Sequence, residues 1–414
     1  MARTHPIGLL LGTEEDWSQT FEELIRRLDL SIEHGGQTHR FTTERVTIEP
    51  FDLRARPRYE LVVDRLAHWY YVPREWLKKV ALMNGVYLMN NPFTFQSMEK
   101  HAAYCAMIRL GLHVPETWLM PHKSPPEDAR FAYTADRYNR PFDIHEVAEK
   151  IGYPLYMKPF DGGAWVGVSR VDGPEDLQRC YDESGSRIMH LQEAVDFDVF
   201  VRSLSIGGDT MVMRFEPDRP QHDRYQVTHD FLSDQVGREV VTIGRTVNAF
   251  FRWEFNSCET LVSGDRVSPI DYANACPDVS LTSLHYYFPW AMKALVRWAV
   301  FCTATDRQMR INLDPLRWFE IADDPDRTYE DKLDAYSHLT DEYFERDDYQ
   351  AFCERHLGHL DEVAAELIAD PWFDDLLVTT VRSTFPEHEH EHFIAHYRGL
   401  LRAWLDDQPL GLPG

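Results

Sequence analysis

The stretch Tyr156-Met157-Lys158-Pro159-Phe160-Asp161-Gly162-Gly163 combines an apolar strand pattern with a lysine and two glycines. A lysine at the end of an apolar strand can supply positive charge to a phosphate. The glycines that follow allow backbone N–H groups to approach phosphate oxygens without side-chain clash. The stretch differs from the G-x-x-x-x-G-K-[ST] loop, and a surface lysine beside a flexible turn is the alternative interpretation. Contact of Lys158, Gly162 and Gly163 with phosphate is thus one of two interpretations that this stretch allows by itself.

A second signal is a β-hairpin around Gly264. Counting outward from a turn centred near Asp265 places Glu259 opposite Asp271 on antiparallel strands. Opposed residues have Cβ atoms about 5 Å apart, and two carboxylates that close repel unless one is protonated or a cation lies between them. Mg²⁺ takes one or two carboxylates together with substrate phosphates, and Asn274 adds an amide oxygen. The alternative is a solvent-exposed pair at a sheet edge, because sequence fixes strand register loosely.

A third signal is the segment Leu191-Gln192-Glu193-Ala194-Val195. This apolar strand breaks into a connection between two sub-domains, where backbone groups can hydrogen-bond the edge of an adenine ring. The alternative interpretation is an ordinary strand end.

The length and charge of the chain limit its fold and its partners. A chain of 414 residues is too long for one ordinary core, so two or three sub-domains are expected. Apolar residues make up 43% of the chain, which favours folded sub-domains over disorder. A net charge of −25 argues against nucleic acid and anionic lipid as partners. We expect small-molecule substrates instead.

Cysteine usage and hydropathy indicate the compartment. The six cysteines are scattered without a C-x-x-C pair, which predicts reduced thiols and neither a zinc site nor a disulfide framework. The apolar run at residues 7–11 is too short for a signal peptide, and no run approaches the roughly 20 residues of a membrane span. A cytoplasmic protein without a membrane segment is therefore expected. A homodimer stays open.

Alternating patterns predict the order of units along the chain. Strand patterns at residues 7–11, 59–63 and 86–89, separated by helical spacing, indicate a doubly wound α/β unit. A hairpin is predicted from strands at residues 199–206 and 210–214, joined across Gly207-Gly208-Asp209. Beyond about residue 323 the chain lacks strand patterns, which predicts a separate all-helical region. The predicted units are residues 1–95, 96–190, 191–322 and 323–414.

Four motifs in order resemble the ATP-grasp family. Asn90-Asn91-Pro92 running into Met98-Glu99-Lys100, then Gly111-Leu112-His113-Val114-Pro115-Glu116-Thr117, resembles the entry to that domain. The Lys158 stretch resembles the second lysine and flexible phosphate loop. Leu191-Gln192-Glu193 resembles the adenine hinge, and Ile270-Asp271-Tyr272-Ala273-Asn274-Ala275-Cys276-Pro277 resembles the terminal metal motif. Order and spacing match over roughly half of the chain.

The resemblance implies an α/β fold of the α+β ATP-grasp type. Its units would be an N-terminal doubly wound unit, a two-lobed ATP-grasp domain and a C-terminal all-helical extension. ATP and Mg²⁺ are the implied cofactors. The implied roles are phosphate binding for Lys100, Lys158, Gly162 and Gly163, adenosine binding for Glu193, Ala194 and Val195, Mg²⁺ binding for Glu259, Asp271 and Asn274, and catalysis for Arg202 and Arg214 facing the γ-phosphate or acyl phosphate.

Two substrate candidates lie beyond the metal motif. Ser283 stands where D-alanine–D-alanine-type ligases keep a serine for the acceptor's carboxylate. His285 is close to the metal motif in sequence, although its aromatic surroundings make core packing the default interpretation. Two departures from the family concern the metal site. Asp271 and Asn274 are separated by two residues where the family more often has one, and Ser257 and Cys258 replace a Gly-Arg-x-acid run.

Most ATP-grasp enzymes activate a carboxylate as an acyl phosphate, which an amine or another nucleophile then attacks. The resemblance therefore implies an ADP-forming carboxylate–amine ligase, or a carboxylate–thiol ligase. Amino acids are the favoured substrates, because the cationic candidates could hold a carboxylate. A small-molecule kinase on the same fold is one alternative. A non-catalytic nucleotide-binding protein is another, but a decayed site would first lose the costly buried charges that this chain keeps.

Overall fold

The described residues of the computed structural model fold into three β-sheets surrounded by helices. Met98 and Glu99, from the predicted entry to the ATP-grasp domain, lie outside the described residues. The structure describes residues 2–94, 100–124, 127–138, 140–163 and 165–408.

The first sheet forms the predicted doubly wound N-terminal unit. Its elements are β1 (Ala2–Leu10), α1 (Asp16–Leu28), β2 (Ile32–His34), β3 (Gln37–Arg45), β4 (Leu61–Asp64), α2 (Tyr71–Asn84) and β5 (Tyr87–Met89). The strand order is β2-β3-β1-β4-β5, and β3, β1, β4 and β5 run parallel. Leu61 and Val63 pack on the α1 side, whereas Val62 packs on the α2 side. Helices therefore cover both faces of this sheet.

Strands β2 and β3 were not predicted. They form an antiparallel hairpin whose two turn residues, Gly35 and Gly36, have φ angles of 56° and 78°. A two-residue turn with both φ angles positive favours glycine. The Gly-Gly pair was therefore the sequence signal for this hairpin.

The second sheet carries the lysine–glycine stretch. Its elements are α3 (His101–Arg109), β6 (Thr117–Met120), α4 (Ala129–Tyr138), α5 (Ile144–Ile151), β7 (Leu155–Pro159), β8 (Ser169–Val171), α6 (Pro174–Ser184) and β9 (Met189–Glu193). The strand order is β6-β9-β7-β8, with antiparallel neighbours. Lys158 lies on β7, as predicted. The predicted division at residue 190 falls inside β9, and the unit boundaries otherwise stay predictions.

The third sheet is antiparallel and contains both predicted hairpins. Its elements are β10 (Val199–Ile206), β11 (Asp209–Phe215), β12 (Tyr225–Gln226), α7 (Asp234–Phe251), β13 (Phe255–Ser263) and β14 (Arg266–Ala275). The strand order is β12-β11-β10-β13-β14. One face packs against α7, where a Cβ atom added at Gly244 would lie 3.3 Å from Ser203 Oγ. The opposite face is left to line a cavity.

The rest of the described chain is helical, as predicted. Its helices are α8 (Leu281–Leu284), α9 (Phe288–Ala304), α10 (Pro315–Asp323), α11 (Tyr329–Phe344), α12 (Arg346–His356), α13 (Leu360–Ile368), α14 (Pro371–Thr384) and α15 (His390–Asp407). No helix in the described ranges is long and apolar enough to cross a membrane.

The C-terminal helices pack directly against the other units, and their division into a separate region stays a prediction. Buried side chains from α1, α9, α11, α13, α14 and α15 belong to one continuous core. Buried Glu254 joins the units, because its carboxylate accepts hydrogen bonds from Tyr87 on β5, Trp298 on α9 and Tyr343 on α11. Arg307 forms a buried ion pair of 2.9 Å with the same carboxylate. The apolar surface of α9 needs partners on all sides, and the C-terminal helices supply them.

Candidate active site

A cavity of about 1030 Å³ lies between the second and third sheets and reaches the N-terminal unit. The predicted site residues mostly converge on this cavity, although they come from different elements. Twelve of them line it, namely Lys100, Lys158, Gly162, Gly163, Glu193, Ala194, Val195, Arg202, Glu259, Asp271, Asn274 and Ser283. Their roles in binding and catalysis stay predictions.

Lys158 is a buried cation that lines the cavity. Its ammonium donates to Gln192 Oε1 at 2.7 Å and to the backbone oxygen of Ile270 at 3.0 Å. It also lies 5.0 Å from the centre of the Tyr104 ring. Burial lowers the pKa of Lys158 to about 7, against the attraction of the nearby Asp271 carboxylate. A phosphate at this position would restore its positive charge.

The predicted opposition of Glu259 and Asp271 is confirmed by the strand register. Lys100 contacts Asp271 Oδ2, whereas Oδ1 is buried without a partner among the described residues. Burial raises the pKa of Glu259, and the Asp271 charge adds to that rise. Burial acts in the same direction on Asp271, but Lys100 and Lys158 outweigh it and hold the pKa of Asp271 below its usual range. The carboxylate pair is therefore partly neutralised by an ammonium group.

Irregularities in β14 decide which residues face the cavity. The hairpin turn is Gly264-Asp265, so a regular ladder would place Glu259 opposite Ile270. An extra residue at Ile270 shifts the partner of Glu259 to Asp271. Counting from a turn centred near Asp265 therefore predicted the observed pair of Glu259 and Asp271, although it did not predict the bulge.

A second irregularity explains the unusual spacing of Asp271 and Asn274. Residues three apart in a regular strand face opposite sides of a sheet. Here Asp271 pairs with Glu259 and Asn274 pairs with Ser257, so three residues of β14 match two of β13. Both side chains consequently face the cavity. The two-residue separation that departs from the family pattern is therefore compatible with a common site.

Arg202 faces the cavity from β10. Its guanidinium donates to Ser257 Oγ at 3.2 Å and lies 3.7 Å from Glu259 Oε1. It also lies over the rings of Phe215 and Tyr225, at 5.5 and 5.9 Å from their centres. These contacts hold a partly buried positive charge beside the carboxylate pair.

The prediction that Arg214 faces the site with Arg202 is wrong. The β10–β11 turn contains two residues, because Ile206 pairs with Asp209, whereas the predicted turn had three. This one-residue change in register places Arg214 opposite Val201 and on the other face of the sheet. There Arg214 donates to Glu216 at 3.0 Å.

The predicted adenine hinge follows β9. Glu193 N and Ala194 N donate to the backbone oxygens of Glu116 and Pro154, at 2.9 and 3.3 Å. Both N–H groups are thus engaged within the second sheet, although the three hinge residues line the cavity. An adenine would therefore have to hydrogen-bond with the backbone oxygens of Glu193 and Ala194 or with the backbone of Val195.

The glycine loop after β7 also reaches the cavity. Gly162 has a φ of 89°, a conformation that strains any residue with a Cβ atom. Apart from Gly162 and its two chain neighbours, no heavy atom of the described residues lies within 4 Å of a Cβ atom built on it, so backbone conformation, and not space, requires glycine here.

The two substrate candidates have different surroundings. Ser283 on α8 lines the cavity. His285 is buried away from the cavity lining, which contradicts the prediction of a direct substrate contact. Its Nδ1 accepts from Tyr286 N at 2.8 Å, and burial lowers its pKa to about 4, helped by neighbouring His396. The default interpretation of core packing therefore describes His285 better.

Several residues that line the cavity were not predicted from the sequence. Glu14 follows β1 and Arg65 follows β4, and Arg65 donates to Glu14 at 2.8 Å. Both lie beyond the carboxyl ends of adjacent parallel strands, a usual place for ligand contacts and therefore a usable signal. Gln192 was quoted within the hinge, but its contact with Lys158 depends on strand pairing. Ser257 was noted only as a departure from the family pattern.

Sequence comparison finds curated relatives of this chain. No protein-family model matches the chain. The formate-dependent phosphoribosylglycinamide formyltransferase of Pyrococcus abyssi is 25% identical over 254 residues, covering 55% of this chain and 56% of that protein. The D-alanine–D-alanine ligase of Lactobacillus acidophilus is 28% identical over 112 residues, covering 25% of this chain and 29% of the ligase. The chain spans about half the length of the first curated relatives that it matches.

Solved structures with similar architecture include a RimK domain ATP-grasp protein from Sphaerobacter thermophilus, at a TM-score of 0.46 and 14% identity, covering 67% of this chain and 93% of that one. The resemblance to ATP-grasp proteins is confirmed. A D-alanine–D-alanine ligase from Bacillus anthracis complexed with ATP has a TM-score of 0.48 and 14% identity, covering 73% of this chain and 99% of the ligase.

The ATP-grasp resemblance implies a metal site formed by Glu259, Asp271 and Asn274. Within the described ranges, no group of three or more His, Cys, Asp or Glu side chains could hold a metal ion. Glu259, Asp271 and Asn274 provide two carboxylates and one amide. They are not such a group, because only two of the three are His, Cys, Asp or Glu. Their donors are all oxygens, the type that Mg²⁺ prefers.

Proposed function

We propose that this chain is an ADP-forming ligase that binds Mg²⁺-ATP in the cavity between the second and third sheets. The observation that carries this proposal is the meeting of Lys100, Lys158 and Arg202 with Glu259 and Asp271 in one enclosure. Two buried lysines and a partly buried arginine beside two carboxylates suit a polyphosphate accompanied by a divalent metal. The curated relatives named as a ligase and a formyltransferase support the same reaction class.

The carboxylate pair fits Mg²⁺. Asp271 Oδ1 is buried without a partner among the described residues, an arrangement that is costly unless a ligand satisfies it. Glu259 lies directly opposite, and Asn274 faces the same cavity. When bound, Mg²⁺ would offset phosphate charge and polarise phosphate oxygens. Its ligands would be Glu259, Asp271 and Asn274.

The cationic side chains would hold the triphosphate and stabilise the transferred group. Lys100 and Lys158 would bind phosphate oxygens, and the Gly162 backbone would approach them without side-chain clash. Arg202 lies beside Glu259 and would offset the charge that develops during transfer. Glu193, Ala194 and Val195 would border the adenosine.

The reaction would proceed in two displacements. A carboxylate oxygen of the substrate attacks the γ-phosphorus, ADP leaves, and an acyl phosphate forms. The nitrogen of an amine then attacks the acyl carbon, the C–O bond to phosphate breaks, and inorganic phosphate leaves as the amine releases a proton. Amino acids are the proposed substrate class, because the cationic residues of the cavity could hold a second carboxylate.

Hydroxylamine trapping tests this reaction. The protein is incubated with Mg²⁺-ATP, hydroxylamine and a panel of carboxylic acids, and hydroxamate and ADP are both measured. Hydroxamate formed in step with ADP would support an acyl phosphate. A phosphorylated product without hydroxamate would exclude the ligase and favour a kinase.

Two matched variants of the β13–β14 hairpin test the metal assignment. Asp271→Asn should abolish turnover while circular dichroism shows an intact fold. Asp265→Asn, in the exposed turn of the same hairpin, should keep normal activity. Full activity in Asp271→Asn would refute the assigned role.

A further inference from the structure

Ser257 joins two groups of the proposed metal site. It lies buried on β13, two residues before Glu259 and on the same face of the sheet. Its Oγ accepts hydrogen bonds from Arg202 Nη2 at 3.2 Å and from Asn274 Nδ2 at 2.7 Å. The serine hydroxyl thus connects β10, β13 and β14 at the cavity wall.

The contact with Asn274 sets the orientation of its amide. Donation from Nδ2 to Ser257 commits the nitrogen to the protein and leaves Oδ1 for the cavity that Asn274 lines. Mg²⁺ binds the oxygen of an amide and not its nitrogen. A flipped amide would present the wrong atom to the metal.

The contact with Arg202 keeps a competing cation away from Glu259. Among the described residues, Ser257 is the only side chain within hydrogen-bonding distance of the Arg202 guanidinium, whose Nε has no partner. Glu259 is slightly farther away, at 3.7 Å. Without the serine hydroxyl, the partly buried guanidinium would gain most by shortening its loose ion pair with Glu259 to a direct hydrogen bond. That closer contact would occupy a carboxylate needed by the metal.

We propose that Ser257 is a positioning residue, resting on the proposed Mg²⁺-ATP function, that turns the Asn274 oxygen toward the metal and holds Arg202 off Glu259. Groups that orient metal ligands typically alter metal affinity by about 10–100-fold when they are removed. The loss should therefore appear in metal binding itself, apart from any effect on turnover.

Mn²⁺ binding to the full chain in the presence of ADP provides the test, because bound and free Mn²⁺ are distinguished by electron paramagnetic resonance. Ser257→Ala should weaken Mn²⁺ binding at least about tenfold. Ser257→Thr restores the hydroxyl and should bind nearly as the unmodified chain. Ser257→Cys nearly keeps the side-chain size but replaces the hydroxyl with a poor hydrogen-bond acceptor, so it should bind Mn²⁺ as weakly as Ser257→Ala. It therefore provides the same test if the alanine variant does not fold.

A matched control variant, and a variant that lacks both groups contacted by Ser257, make the test specific to positioning. Ser268 is also buried, and its hydroxyl has no partner among the described residues, so Ser268→Ala should leave Mn²⁺ affinity unchanged. In an Asn274→Ala and Arg202→Ala background, Ser257→Ala should cause no further loss, because both groups it positions are gone.

The outcomes separate the two proposals. If the unmodified chain binds Mn²⁺-ADP and the alanine and cysteine variants bind it equally well, the role of Ser257 is refuted and the proposed function stands. A further loss from Ser257→Ala in the double-variant background also refutes positioning. Absence of Mn²⁺-ADP binding to the unmodified chain would overturn both proposals.

Discussion

Lys158 and Gln192 meet across the pairing of β7 with β9, with the lysine ammonium 2.7 Å from the glutamine Oε1. This contact gives a buried lysine one neutral acceptor, and the Ile270 backbone oxygen gives it another. Neither acceptor carries a full negative charge. The cation is therefore held in place without being fully compensated, a state that favours an anionic ligand.

This arrangement predicts that nucleotide binding takes up a proton. The pKa of Lys158 is lowered to about 7, so at pH 8 the lysine is mostly neutral, and bound phosphate would raise its pKa and protonate it. Affinity for ATP should be highest below about pH 7 and fall as the pH rises above it. Calorimetry at pH 8 in two buffers of different ionisation enthalpy measures the uptake.

Two lysine variants isolate this effect. Lys158→Met should lose the proton uptake and weaken ATP binding by about tenfold or more, the usual value of a charge-assisted hydrogen bond. Lys150→Met, which removes an exposed lysine near the Trp118 ring, should retain both properties. Buffer-independent binding heats for the unmodified chain would contradict the prediction.

Arg202 and Arg214 predict opposite kinetic outcomes. Arg202→Ala should lower kcat about 10²–10³-fold, the usual loss when one group that stabilises developing charge is removed. Arg214→Ala should change kcat little, because Arg214 lies on the other face of the sheet and contacts Glu216. Steady-state ADP release compares the two variants. A large loss in Arg214→Ala would contradict the face assignment.

Glu254 should matter for stability. Glu254→Gln removes the closer and more buried of the two carboxylate charges beside Arg307, whose side chain is 2% exposed. Breaking such a buried ion pair lowers the free energy of unfolding by about 3–5 kcal/mol. Chemical denaturation measures the change. Glu216→Gln alters an ion pair with Arg214 that is over one-third exposed and should cost at most about 1 kcal/mol. Similar losses in the two variants would count against the buried network.

Gly162 and Gly237 form another contrasting pair. Gly162→Ala forces a Cβ atom into a backbone with a φ of 89°, at a cost of about 1–2 kcal/mol, and should raise the KM for ATP by displacing the loop. Gly237→Ala lies in α7 with no heavy atom within 4 Å of the new Cβ, and should stabilise the chain by about 0.4–1 kcal/mol. Thermal denaturation and ADP-release kinetics test both. An unchanged KM in Gly162→Ala would separate this loop from nucleotide binding.

Sequence patterns were sufficient where a feature depends on neighbouring residues. Strand periodicity located β7 and therefore Lys158, and turn residues located the hairpins of the third sheet. Prediction failed where register was needed. A turn one residue shorter than expected moved Arg214 to the other face. The packing of the C-terminal helices against α1 and α9 also could not be predicted, because it joins residues far apart in sequence.

By itself, the sequence determined the lysine at a strand end, the glycine that permits a positive φ at Gly162, and the acidic hairpin, because each follows from local periodicity and backbone preference. Only the tertiary structure decided that Asp271 and Asn274 share one face, since the bulges in β14 arise from its pairing with β13. It also brought Glu14 and Arg65 into the cavity, because residues far apart in sequence meet where the ends of parallel strands lie side by side.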